Sequence, residues 1–207
     1  MTEPDPTSLI ARIKAAQPDP KAAAILEAGY QTFVSFGHRR ASMQDIAERA
    51  GMSRAALYLH FKNKDDIFGA MMAAYFEASA QAAAEALARE DDPARALSAA
   101  FAAQLGDAGE GLMRSPHFEE MMAIKHAVTA EILREGHAKL VQVYAKWLEA
   151  GVQTGRIDPA AVAGSAERTA RVMLAGLDGM KSGGFDWDGY LAARKHLARI
   201  FARSLRP

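Results

Sequence analysis

The stretch that most constrains this chain is Ser42 to Phe68, SMQDIAERAGMSRAALYLHFKNKDDIF. Ser42 is suited to cap a helix N-terminus, with Asp45 three residues on as its reciprocal partner. Met43, Ile46, Ala47 and Ala50 then fall at i, i+3, i+4 and i+7, one apolar helical face of about two turns. Gly51 stands where that helix must stop, because glycine takes positive φ without a steric cost. Ser53 can cap a second helix, whose Leu57 and Phe61 point inward while Arg54, Tyr58 and Lys62 share another face. Such a pattern folds as two short helices around a tight turn, handed on to a third.

Periodicity of this kind arises in any pair of packed short helices, so function has to come from what the second helix leaves outside. A helix entering the DNA major groove presents polar or small residues at its N-terminus. Ser53, Arg54 and Ala55 meet that need: Arg54 can chelate guanine O6 and N7, and Ala55 permits close approach to a thymine methyl. Tyr58, His60, Lys62 and Lys64 are expected on phosphates, fixing register. Ser42 and Gln44, at the start of the leading helix, complete the expected DNA-contacting set. From His38 to Lys64 six Lys or Arg face two acids, a net of +4, in a chain whose 25 basic and 25 acidic residues cancel. Charge is therefore segregated into this window, as electrostatic attraction to phosphates requires.

The longer stretch Ile25 to Phe68 resembles the DNA-binding domain of the tetracycline-repressor (TetR) family of bacterial regulators. The matching residues are Ile25, Leu26, Phe33, Gly37, Ile46, Ala47, the Ala50-Gly51-x-Ser53 turn, Leu57, Tyr58, Phe61 and Lys64. His38 stands in place of a frequent tyrosine, and Ala41-Ser42 in place of a threonine pair. The resemblance implies an all-α fold: a three-helix DNA-binding domain, a long connector helix, and a larger helical domain for ligand binding and dimerisation.

The expected division is 1–20, 21–66 and 67–207. Residues 1–20 carry Pro4, Pro6, Pro18 and Pro20 and read either as a disordered tail or as a short helix with Leu9, Ile10 and Ile13 on one side. In the second case Arg12 and Lys14 are candidate phosphate contacts. Lys21 to Phe36 reads as the first helix of the DNA-binding domain. Asn63 is placed to cap the connector, which continues to about Glu90 with Asp65 and Asp66 complementing its dipole. After Asp92 the pattern gives helices over Pro93–Leu105, Pro116–Ala127, Val128–Val152, Asp158–Met180 and Tyr190–Leu205, with GDAGEG and SGGFDWD as loops. No strand-like alternation occurs.

The resemblance also implies an effector cavity. Candidate lining residues are Phe101, Met113, Phe118, Met121, Met122, Tyr144, Trp147 and Met173, with Gln104, His117 and His126 as polar groups. A Met and aromatic stripe at helical spacing is also what a plain core looks like. The two closing helices are expected to dock on their twofold mates through Leu174, Leu177, Met180, Leu197, Ile200 and Phe201, with Arg194, Arg199 and Arg203 outward. The expected partners are thus an operator duplex, a second copy of the chain and a small-molecule effector; the alternative is a DNA-binding regulator without a small ligand, controlled by a protein partner.

Enzyme chemistry finds little footing. There is no cysteine, and the six histidines include no H-E-x-x-H pair. Neither the G-x-S-x-G elbow nor a phosphate-binding P-loop occurs. No catalytic residue, cofactor or metal is expected. No run reaches the 18 or so apolar residues of a membrane span, and MTEPDP lacks a basic leader region, so a cytoplasmic protein is expected.

Overall fold

The structure is a computed structural model of the chain; it describes residues 8–181 and 183–207, and all of their side chains except those of 125–128. The described residues form α-helices, with one 3-10 turn over Pro159–Val162 and no strand. The helices are α1 (Leu9–Ala15), α2 (Pro20–Arg40), α3 (Met43–Arg49), α4 (Arg54–Tyr58), α5 (Lys64–Arg89) and α6 (Pro93–Ala103). They continue with α7 (Gly106–Met113), α8 (Phe118–Val128), α9 (Ala130–Gln153), α10 (Ala166–Lys181) and α11 (Trp187–Ser204).

Two compact units emerge, one formed by residues up to Ala78 with Gly106–Gly136, the other by Ser79–Leu105 with His137–Pro207. Compactness thus divides the chain elsewhere than at the 66/67 boundary expected from the sequence. The reason lies in α7 and α8, which fasten onto α2. Ser115 Oγ donates to the Val34 carbonyl at 2.7 Å, Tyr30 Oη to the Ala108 carbonyl at 2.8 Å, and the Arg39 amide to Glu120 Oε1 at 2.7 Å.

In the first unit Ile25, Leu26, Phe33, Ile46, Ala47, Leu57, Ile67 and Phe68 are all buried, so α2, α3, α4 and the start of α5 close on one core. The segment read as a tail or a short helix contains α1. Asp107 accepts from Ser8 Oγ at 2.5 Å, the Leu9 amide at 2.8 Å and the Ile10 amide at 3.2 Å, satisfying donors at the helix N-terminus. Lys14, considered for a phosphate, pairs with Glu27 at 2.8 Å. Residues 1–7 lie outside the described set.

GDAGEG, expected as a loop, opens α7. Its glycines are spacers: a Cβ on Gly106 would meet Leu9 at 2.7 Å, and one on Gly111 would collide with the Tyr30 hydroxyl. Gly136 in α9 has the same use, since a Cβ there would strike the Phe76 ring. The helix expected from Asp158 to Met180 is interrupted, because Ala163 (φ 44°) and Gly164 (φ 74°) turn left-handed before α10 begins. The connector matches its expectation: Asn63 Oδ1 accepts from the Asp66 amide at 2.8 Å, and α5 then runs unbroken to Arg89.

Candidate nucleic-acid interface

The leading helix of the motif is capped as its sequence requires. Ser42 Oγ accepts from the Asp45 amide at 3.2 Å, and Asp45 Oδ2 accepts from the Ser42 amide at 2.9 Å and its hydroxyl at 2.6 Å. Those bonds from Ser42 hold the Asp45 carboxyl below its ordinary range. After Gly51 (φ 68°), Ser53 Oγ accepts from the Ala56 amide at 3.1 Å and starts α4. Helix α4 has five residues, shorter than the spacing predicts, so Phe61 and Lys62 follow it.

Leu57 anchors α4 inward, and Ser53, Arg54, Ala55 and Tyr58 are exposed together. Arg54 is held in place: its guanidinium lies 5.5 Å from the Tyr58 ring centroid and donates to Tyr58 Oη at 3.2 Å. A side chain held this way loses less conformational freedom when it meets a base edge. Ser42 and Gln44 are also exposed, though Gln44 Nε2 donates to Glu48 Oε1 at 2.6 Å. Lys62 is exposed, while His60 is half-buried with Nδ1 3.3 Å from Asp19 Oδ2. Arg39, Arg40 and Arg49 are exposed as well, Arg49 lying over the Phe36 ring at 5.7 Å.

Lys64 has a different place from the one expected. Its ammonium donates to the carbonyls of His38 at 2.7 Å, Ala41 at 3.0 Å and Arg39 at 3.2 Å. All three N–H groups are taken up by the end of α2, so Lys64 is a helix C-cap and leaves no ammonium donor for a phosphate. The carbonyls it caps lead directly into Ser42, so it sets the direction in which the leading helix starts.

His38 sits beside this cap, buried and stacked on Phe33 with ring centroids 5.3 Å apart; its Nε2 is 2.9 Å from Asp65 Oδ1. Burial, with the nearby Lys64 ammonium, lowers its pKa below the ordinary value of about 6.5, and Asp65 opposes the shift. The unfolded chain therefore binds this proton more readily than the folded one. Stability is full above about pH 6.5 and falls as the pH drops from there towards the lowered value. Melting temperatures of wild type and His38→Tyr should diverge below about pH 6.5, the wild type falling more steeply there. Parallel curves would remove His38 from the account.

The expected cavity residues fall in both units. Met121 is buried in the first, with Met113, His117, Phe118 and Met122 half-buried; the side chain of His126 lies outside the described residues. The second unit holds Phe101, Gln104, Tyr144, Trp147 and Met173. There the Tyr144 hydroxyl donates to Gln104 Oε1 at 3.0 Å, with the Phe101 ring centroid 5.8 Å away. Full burial pushes the Tyr144 phenol well above its ordinary pKa.

The closing helices also sort differently from the expectation. Leu174 and Leu177 are buried within their own unit, and Leu197 is half-buried against Gly176. Having lost their accessible surface already, Leu174 and Leu177 have almost nothing to give to a second copy. Tyr190, Ala198 and Ala202 form the buried face of α11, and Arg194, expected outward, lies half-buried on that face. The large apolar side chains left outside are Val172 on α10 and Ile200 on α11, with Met180 and Phe201 half-exposed.

Residues 25–71 match the family model for bacterial regulatory proteins of the tetR family. The uncharacterized HTH-type transcriptional regulator YhgD of Bacillus subtilis is 25% identical over 150 residues, 72% of this chain and 76% of that one. The HTH-type transcriptional activator FasR of Mycolicibacterium smegmatis is 32% identical over 85 residues, 41% of this chain and 39% of that one. Among solved structures, SmeT, the repressor of the Stenotrophomonas maltophilia multidrug efflux pump SmeDEF, shares the fold with a TM-score of 0.67 at 20% identity, over 94% of this chain and 93% of that one. With the capped two-helix motif, the clamped arginine and the basic window in place, residues 25–71 are a DNA-binding domain of the tetR-family type.

Proposed function

We propose that the chain acts as a homodimeric repressor that binds a palindromic operator and is released by a small, largely apolar effector. The observation that carries the DNA reading is Arg54, exposed at the start of α4 and held by Tyr58 through a hydrogen bond and a stacked ring. Exposed Ser42, Gln44, Ser53, Ala55 and Lys62 surround it in the reading, and His60 joins them from its half-buried place. A single α4 spans only a few base pairs, so a specific site needs two copies about one helical turn apart. Exposed Val172 and Ile200, with half-exposed Met180 and Phe201, supply apolar surface for that pairing.

The effector reading rests on the second unit's interior. Its neutral Tyr144–Gln104 pair, with the Phe101 ring beside Tyr144, suits an uncharged molecule with one hydrogen-bonding group. A hundredfold release would require about 2.7 kcal/mol of differential affinity, and operator DNA must then weaken effector binding by the same factor. The sign of regulation is tested by transcription from the bound promoter with and without the protein: a repressor lowers it, an activator raises it.

The test of the base-reading role is selection from a randomised duplex library with wild type and Arg54→Ala. Losing a base-edge contact should remove about 1–3 kcal/mol of discrimination at one base pair of each half-site and leave the others intact. An even loss of affinity across all sequences would place Arg54 on the backbone instead.

A further inference from the structure

Arg54 and Tyr58 occupy one strip of the second helix and of the turn that ends it. Ala55 and Leu59 lie one residue later at the same i, i+4 spacing, and Leu59 keeps right-handed helical backbone angles (φ −71°, ψ −22°). The second strip therefore lies beside the first on the outer surface. It is wholly apolar, and Leu59 is 85% exposed, well beyond the next large apolar side chain, Val172 at 56%. A single exposed leucine on a protein surface is ordinary. This one stands next to an arginine already held for base contact, on a helix whose opposite side is fastened by Leu57.

We propose that Leu59, with Ala55, reads the methyl group of a thymine adjacent to the base pair contacted by Arg54. The inference rests on the DNA reading above. In the major groove only thymine carries a C5-methyl group, and an apolar side chain recognises it by excluding water from both partners. Polar strip and apolar strip together then specify two neighbouring base pairs of different kind, one through hydrogen bonds and one through a methyl. The sequence points to the first strip and to Ala55 of the second, and passes over Leu59.

The test uses the full-length protein and the duplex enriched from a randomised library. Each thymine of the enriched site is replaced in turn by uracil, which removes that methyl and nothing else. For wild type, one thymine in each half-site should be sensitive, with a loss of about fourfold per methyl and more than tenfold when both half-sites are changed. Leu59→Ala, a surface change whose retained fold is checked by circular dichroism, should bind thymine and uracil duplexes within about twofold of each other. Leu59→Met should keep the sensitivity, and Arg54→Ala should keep it while losing preference at its own base pair. Uracil sensitivity that persists in Leu59→Ala would assign the methyl to Ala55 or to the DNA's own shape and overturn the proposal. A site with no uracil-sensitive thymine would overturn it too, with the DNA reading still standing. A library that enriches no sequence would take down both.

Discussion

Gly37→Val is expected to cost about 3 kcal/mol or more of folding stability and to weaken DNA binding in whatever protein remains folded. Gly37 has φ 74° and ψ 162°, inside what would otherwise be a continuous α2. That region belongs almost wholly to glycine, and other residues pay of order 1–3 kcal/mol to enter it. Space is short as well: a Cβ would lie 2.7 Å from Glu120 Oε2 and 3.1 Å from the His117 ring. Glu120 cannot retreat freely, because its other oxygen accepts the Arg39 amide at 2.7 Å. The same few residues carry the carbonyls capped by Lys64 and lead into Ser42, so a shift here redirects the leading helix of the motif. Gly155→Val is the control, since Gly155 also has positive φ (70°) but nothing within 4 Å of a Cβ. It should show the cost of a positive φ without the collision. Chemical denaturation curves in which the two variants lose equal stability would contradict the crowded junction described here.

Val172→Glu combined with Ile200→Glu is expected to turn dimers into monomers and to lower affinity for a two-half-site duplex by about a hundredfold or more. Both side chains are at least half exposed, at 56% and 50%. The chain should therefore fold with glutamates there, whereas a twofold interface closing over them would bury unpaired like charges. Loss of the second half-site removes the effective concentration that makes two weak contacts act as one, commonly a factor of about 10²–10⁴. Light scattering reports the mass, and affinity for a single half-site should change little. Leu177→Arg makes the contrast: at 1% exposed it belongs to its own unit's core, so that variant should unfold. A double variant that remains dimeric would place the interface elsewhere.

Elements whose signals are local were legible in the sequence. The Ser42–Asp45 box, the Gly51 turn, the Ser53 cap and the Asn63 start of α5 are written in residues within four positions of one another; the three caps form their expected hydrogen bonds and Gly51 takes its expected positive φ. Long-range partners were not legible. Lys64 reads as a free cation until three carbonyls some 23 to 26 residues away take its donors. The GDAGEG glycines read as a loop because their Leu9 and Tyr30 neighbours are remote in sequence. Helical periodicity marked Leu174 and Leu177 as apolar, but it does not distinguish a face buried against the same chain from one saved for a second copy. Leu59, proposed above as a methyl contact, draws attention only through its 85% exposure, which periodicity does not reveal.

The most direct measurement is an equilibrium titration of the wild-type protein against its selected duplex and a scrambled duplex of equal length, repeated across a range of salt concentrations. Recognition through base edges and a basic window predicts a preference of about 10³-fold or more for the selected duplex. It also predicts that affinity for both duplexes falls linearly in log–log form with salt, with a slope set by the phosphates neutralised. Equal affinity for the two duplexes, or binding insensitive to salt, would contradict it.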